Sequence, residues 1–386
     1  MKITLIILRV AHLLTLIAFA HSDYYIESSD GGLVKCVDRK EQPAFDNSLL
    51  RNHKFQESPS KIPTTTTKSN TNSKWRTTEA HVSIAKCPRG TVPMRQDDAS
   101  EYPGNNTSTQ TTHEYAEKST DVSSKLYGAK ATINIWDPKV ENKEIELSIS
   151  QIWISSGGYE TNNLNTIEVG WQVYPQLYTD NKPRLFIYWT SDAYQTTGCY
   201  NLRCPGFVQT SRSVVLGGAI SPVSIFGSKQ YEITVHVWKD QKQGNWWLSL
   251  GADNLIIGYW PSELFTNLDY ANEVHWGGEV VDSHSFGRHT KTQMGSGRFP
   301  FEGFGKASYF RNLEIVDSNN FQPIQRLKTN AEKEYYDIKN LDIDEEWGTH
   351  FFYGGPGFST HTHSGVVPLT VRLIFICFSL NFFIII

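Results

Sequence analysis

The chain has no block of lysine or arginine: its 36 basic residues are scattered and outnumbered by 40 acidic ones, leaving a net charge of −4. Nucleic-acid phosphates demand clustered cations, so no nucleic-acid partner is expected. Cysteine is scarce, and the five present offer no second Cys or His pair at zinc-finger spacing beside Cys199 and Cys204. No metal is expected. Gly295, Gly297, Gly303 and Gly305 have the wrong spacing for a dinucleotide fingerprint and no helical pattern follows them, so no cofactor is expected either. Nor is there a nucleophile elbow around Ser283, Ser285 or Ser296, near His275, His284 and His289, which argues against serine chemistry. His361-Thr362-His363 reads as solvated.

What is present is material for a core. The chain is 386 residues long, 39% hydrophobic and 13% aromatic, enough for a packed domain with accessory segments. Lys2 and Arg9 precede an apolar run and then Ala18-Phe19-Ala20, the pattern of a secretory signal peptide over residues 1–20. Secretion favours disulfides. Of the three ways four cysteines can pair, segregation into two regions favours Cys36 with Cys87 and Cys199 with Cys204. Residues 58–73, rich in Thr, Ser, Lys and Asn, read as a long loop. Residues 96–124 form a polar linker in which Asn105 and Asn106 each begin a glycosylation sequon.

Beyond the linker, apolar residues recur with period two: Ile145, Leu147 and Ile149; Ile233, Val235 and Val237; Trp246, Leu248 and Leu250. Turn clusters such as Asp180-Asn181-Lys182-Pro183 separate these runs. The pattern predicts an all-β fold, an antiparallel two-sheet β-sandwich over residues 124–358, preceded by a small N-terminal segment over 21–123. Only residues 261–272 read as helical. The tail, 359–386, is very apolar but interrupted by Arg372 and Asn381. It reads as a membrane anchor, as a removed lipid-anchor signal with attachment near Ser364, or as a gene-model artefact. A membrane partner is expected only if the tail is retained or replaced by a lipid.

Two strands carry the functional signal. In Thr166-Ile167-Glu168-Val169-Gly170-Trp171-Gln172, alternation turns Glu168 and Gln172 away from the apolar face that carries Trp171. In His275-Trp276-Gly277-Gly278-Glu279-Val280, Glu279 shares a face with His275 and Gly277, and the paired glycines leave room for another backbone such as a substrate.

These stretches belong to a longer series. Ser150-Gln151-Ile152-Trp153, Glu168-Val169-Gly170-Trp171-Gln172-Val173, Gly198-Cys199-Tyr200-Asn201-Leu202-Arg203-Cys204, Gly258-Tyr259-Trp260-Pro261, Trp276-Gly277-Gly278-Glu279-Val280 and Tyr353-Gly354-Gly355-Pro356-Gly357 resemble, in order, the plant neprosin family of secreted glutamic endopeptidases. Gln42-Pro43-Ala44-Phe45-Asp46, Leu50-Arg51-Asn52-His53-Lys54 and Cys87-Pro88-Arg89-Gly90-Thr91-Val92-Pro93 resemble that family's activation segment. The chain departs from the family at Tyr335, where members carry a further cysteine.

The resemblance implies a catalytic pair at Glu168 and Glu279, cleavage after proline, and a zymogen whose pro-segment inhibits the site until acidification. Two carboxyls sharing a site titrate as a unit, so one supplies a base while the other keeps an acidic proton. Sequence leaves open which is which. Gln172 and Tyr194 are candidate orienting groups, and Trp171, Trp276 and Tyr194 candidate walls of a proline subsite. Peptide or protein substrates are the expected partners. The alternatives are a non-catalytic extracellular β-sandwich that binds cell-wall glycan or peptide, and a structural protein tethered by its tail.

Overall fold

The computed structural model describes residues 24–64, 75–96, 111–121, 125–284, 288–317 and 320–359. Residues 1–20, expected to be a signal peptide, both sequons and nearly all of the tail lie outside these residues. Among the described residues no helix is long and apolar enough to cross a membrane.

The N-terminal region supplies β1 (Tyr24–Glu27), β2 (Leu33–Asp38), β3 (Thr77–Glu79), β4 (His81–Val82) and β5 (Thr91–Arg95). Next come β6 (Thr112–Ser119), β7 (Gly128–Asn134), β8 (Ser148–Ser156), β9 (Asn165–Val173), β10 (Arg184–Thr190) and β11 (Val208–Gln209). They are followed by β12 (Ile220–Ser221), β13 (Gln230–Lys239), β14 (Trp246–Leu250), β15 (Leu255–Trp260), β16 (Glu273–Asp282) and β17 (Ser308–Val316). The last are β18 (Phe321–Pro323), β19 (Lys328–Ala331), β20 (Asp337–Ile338), β21 (Asp342–Asp344) and β22 (Gly348–Gly354).

The sandwich is as the alternation predicts. A six-stranded sheet in the order β10-β9-β8-β16-β6-β19 lies against a larger sheet whose spine is β11-β15-β14-β13-β7-β17-β22-β20. Pairing within both is antiparallel except where β3 joins β13 in parallel. Ile167, Val169, Trp171 and Val173 of β9 are fully buried in the core between the sheets, with Trp276 of β16 and Val235 and Val237 of β13. Two polar contacts join the sheets inside the core, while the indole nitrogens of Trp189 and Trp276 are buried without a partner. The Trp171 indole donates to the carbonyl of Asn134 on β7, and the Tyr353 hydroxyl of β22 lies between Ser150 and Ser308.

Three expectations are corrected. Residues 261–272 hold one 3-10 turn, Ser262–Leu264, and no α-helix. Tertiary bonds take up their backbone: Thr266 and Asn267 donate to Asn165, and Asn272 to the carbonyl of Ser155. Among the described residues the one α-helical turn is Pro175–Tyr178, where Pro175 fits a first position that needs no N–H. Second, β6 is an interior strand, paired with β16 on one side and β19 on the other, so the sandwich starts ahead of residue 124. Third, the two glycines of β16 serve packing within the protein. A Cβ at Gly277 would lie 2.3 Å from the carbonyl oxygen of Ala116, and one at Gly278 would lie 2.6 Å from Met294.

Cys36 is bonded to Cys87, and Cys199 to Cys204. Where a cysteine is missing, Tyr335 stacks on His289 at 3.4 Å between ring centres and Tyr336 donates to the carbonyl of Thr292. The final strand, β22, is held by pairing with β17, β20 and β21.

The N-terminal region packs on the flank of the sandwich. Asp30, half-buried, receives Arg95 from its own region and Arg184 and the Ala219 N–H from the sandwich. Gln42 and Gln209 bond reciprocally, and His53 meets Glu263 and Tyr259. Ser60 donates to Asp240. Among the described residues, no hydrogen bond or ion pair runs from this region, 24–96, to Glu168 or Glu279.

Candidate active site

The outer face of the six-stranded sheet gathers both glutamates. Residues directly opposite on neighbouring strands point to the same side, so the register can be read as rows. One row runs Tyr188, Glu168, Trp153, His275. The next runs Phe186, Gly170, Gln151, Gly277, Glu117, and the third Arg184, Gln172, Ile149, Glu279, Tyr115. Glu168 on β9 and Glu279 on β16 therefore flank β8 on a diagonal. Each is only 7% exposed.

Their surroundings differ. Glu168 Oε1 accepts from the Tyr194 hydroxyl at 2.6 Å and from Thr166 at 2.9 Å. Burial nevertheless dominates, with the Glu279 charge adding to it, and pushes the Glu168 carboxyl up to about 7 against the Tyr194 bond. Glu279 has Gln151 Nε2 at 3.2 Å from Oε2 and His113 Nδ1 at 2.5 Å from Oε1. The hydrogen bond to Glu279 raises the pKa of the exposed His113. His275, between Glu117 and Glu273, is pushed up to about 9: burial opposes the charge, and the bonds to both carboxylates outweigh it.

Tyr194 is delivered by a loop with unusual backbone. Ala193 and Tyr194 both have left-handed φ, +55° and +63°, a conformation costly for residues with a Cβ. Asp192 holds the loop by accepting from the backbone and hydroxyls of Thr196 and Thr197. The Tyr194 ring stacks on Tyr159 at 6.1 Å and lies 5.9 Å from Tyr188. On the other side Tyr115 meets Trp153 edge-on at 6.2 Å, and Trp153 meets His275 at 6.3 Å.

Of the expected site residues, Glu168, Glu279 and Tyr194 come together. Gln172 shares the face, but it donates to Tyr178 and bonds neither glutamate. Trp171 and Trp276 are corrections: both are fully buried on the core face, because a strand's alternation cannot present them beside Glu168 or Glu279. The aromatic side chains gathered on the outer face are Tyr115, Trp153, Tyr159, Tyr188 and Tyr194. Gln151 and His113 were missed. Gln151 stood in a recognisable motif, Ser150-Gln151-Ile152-Trp153, whereas His113 gave no signal, lying in a segment read as linker.

Two further groups bring potential metal ligands close together: Glu114, Asp282 and His289, and Glu146, Asp282 and His284. Glu146 already accepts from the hydroxyls of Ser283, Thr290 and Thr292, so the second group is a saturated hydrogen-bond network.

A family model described as Neprosin matches residues 144–356, more than half of the chain, and a Neprosin activation peptide model matches 25–125. The chain belongs to the neprosin family. It is a peptidase with an activation segment. Among solved structures, scytalido-glutamic peptidase with a peptide-based transition state analogue is similar at 9% identity and a TM-score of 0.35, covering 64% of this chain and 100% of that one. SCP-B, a member of the eqolisin family in complex with the tripeptide Ala-Ile-His, is similar at 10% identity and a TM-score of 0.31 with the same coverage. The activation-peptide match extends through β6, so the segment that resembles the family's pro-peptide contains a strand of the sandwich and His113.

Proposed function

We propose that this neprosin-family chain is a secreted endopeptidase that hydrolyses peptide bonds at acidic pH with Glu279 as base and Glu168 as acid. The observation that carries the assignment is the asymmetry of the two buried carboxyls. Burial keeps a proton on Glu168 up to about pH 7, while Glu279 has two nitrogen donors facing its two oxygens. In the reaction Glu279 takes a proton from water as its oxygen attacks the scissile carbonyl carbon, and Glu168 gives its proton to the carbonyl oxygen or the departing nitrogen. When the C–N bond breaks, the amine leaves protonated and the new carboxyl remains on the other fragment. Loss of the Glu168 proton removes the acid, which confines activity to pH below about 7.

The tyrosines beside Glu168 support a preference for proline at the cleaved bond, since aromatic faces pack well on its ring. The activation-peptide match over residues 25–125 supports synthesis as a zymogen. Activating cleavage falls ahead of Thr112, because a later cut would strip an interior strand from the catalytic sheet. Incubating purified protein at acid and neutral pH with a proline-containing peptide library, and sequencing the products, tests the reading. Acid-dependent cleavage after proline is expected; absence of cleavage at every pH, or equal cleavage at neutral pH, would overturn it. Mass spectrometry of the acid-treated chain would show the new N-terminus.

A further inference from the structure

One polar side chain occupies the row between the two glutamates. Gln151 of β8 is fully buried, opposite Gly170 on β9 and Gly277 on β16. Both direct neighbours are glycine, so no side chain crowds it, and each glutamate is a diagonal neighbour within reach of long side chains. Its amide is used at one end only. Nε2 donates to Glu279 Oε2 at 3.2 Å, while Oε1 is buried and has no donor. Buried acceptors of this kind are rare in folded proteins and call for a proton donor.

Glu168 has the complementary need. Its Oε1 already accepts from Tyr194 and Thr166, which leaves Oε2 to carry the acidic proton, and a buried O–H calls for an acceptor. We propose that Gln151 is a positioning residue of the glutamate pair: its N–H holds Glu279 as the carboxylate, and its carbonyl oxygen accepts the proton carried on Glu168 Oε2. An amide cannot exchange its two ends without flipping, so its polarity decides which glutamate is the base and which the acid. The inference rests on the two-glutamate reading above and deepens it.

The other titratable groups facing this row are Tyr188 of β10, His113, Tyr115 and Glu117 of β6, His275 of β16, and Tyr159 and Tyr194 of the loops. None supplies a hydrogen bond to Gln151 Oε1.

Two variants and one measurement on the unaltered protein test the proposal. In the acid-activated protein, Gln151→Leu removes both bonds, and kcat should fall about 100-fold with KM within about threefold. Gln151→Glu keeps the shape but donates to Glu279 only while protonated, so kcat should fall about tenfold and the optimum should move to lower pH by about one unit. In the wild-type protein, the side-chain amide nitrogen resonance of Gln151 should shift with pH through the titration of Glu168 at about 7. Wild-type kcat and pH profile in a folded variant, a loss confined to KM, or a resonance that does not move would each overturn the assignment. Glu279→Gln, assayed in parallel, separates the two levels. Activity in that variant sinks the two-glutamate reading, whereas an inactive Glu279→Gln beside an unchanged Gln151→Glu sinks only the role of Gln151.

Discussion

On β9 the core face carries Ile167, Val169, Trp171 and Val173, all 0% exposed, while one residue out of phase Glu168 and Gln172 face the other way at 7% and 0%. Both faces of β9 are therefore dry. They differ in how dryness is achieved and in what it does to a charge. The inner face is covered by the second sheet, and its polar atoms either pair across it, as in the Trp171 bond to Asn134, or lie buried without a partner, as do the indole N–H groups of Trp189 and Trp276. The outer face is covered by side chains delivered from loops and from β6, among them Tyr159, Tyr194 and Tyr115, and these bring hydroxyl and ring groups to the carboxylates. Burial without full pairing raises the Glu168 carboxyl; the same burial around Trp171 only adds packing energy.

The comparison breaks first at the glutamates. Glu279→Gln and Glu168→Gln should each lower kcat at least about 1000-fold, because an amide can neither take nor give the proton either role requires. Stability should move the other way for Glu168. Its folded pKa of about 7 lies above the ordinary 4.5, so the native state binds the extra proton and wild-type stability falls as pH rises from about 4.5 to 7. Glu168→Gln should abolish that slope and be the more stable protein above pH 7, by at most about 3 kcal/mol. Thermal melts across this range decide it. A folded variant with near wild-type turnover, or an unchanged slope, would remove Glu168 from the site.

The inner face should respond in stability alone. Trp171→Ala and Trp276→Ala should each cost about 3–5 kcal/mol through lost burial and the cavity left behind. The kcat/KM per folded molecule should remain within about threefold of wild type, with proline preference intact. Denaturant titration combined with active-site-normalised kinetics separates the two effects. A selective loss of proline preference would return these tryptophans to a substrate pocket.

Tyr194 sharpens the difference between the faces, because it is a cover residue that also bonds the charge. Its hydroxyl stabilises the Glu168 carboxylate, so Tyr194→Phe should raise the Glu168 pKa further. The alkaline limb of the pH profile should move up, while kcat at the optimum falls about tenfold as the side chain loses its anchor. A limb that moves down would contradict the direction of that hydrogen bond.

How far this was legible in sequence follows from periodicity. A period of two placed Glu168 and Trp171 on opposite faces of one strand, and the family motifs paired Glu168 with Glu279, so the fold and both carboxyls were readable. Which strands neighbour each other was not. Gln151 stands between the glutamates only because β8 separates β9 from β16, a fact of long-range pairing that no local pattern carries. His113 was hidden for the same reason: β6 reads as polar linker until its pairing with β16 and β19 makes it interior. Residues 261–272 failed in the opposite sense, since bonds to Asn165 and Ser155 overrode a local helical reading.

The smallest expected effect tests whether position on the outer face is enough to make a residue part of the site. Gln172 lies four residues from Glu168 on the same face, yet its Nε2 reaches only Tyr178 at 3.3 Å and its Oε1 is buried without a donor. Replacing a poorly satisfied buried amide by an apolar group of similar size removes one weak bond and one desolvated acceptor together, and the two terms nearly cancel. Gln172→Leu should therefore change stability by less than about 1 kcal/mol and kcat by less than about threefold, with the pH profile unmoved. Gln151→Leu, the same substitution one strand away and one row nearer Glu168, should lose far more activity. If the two variants behaved alike, the outer face would act as a uniform polar lining, and the hydrogen bond to Glu279 would no longer distinguish the residue that serves the site from the one that merely shares its side of the sheet.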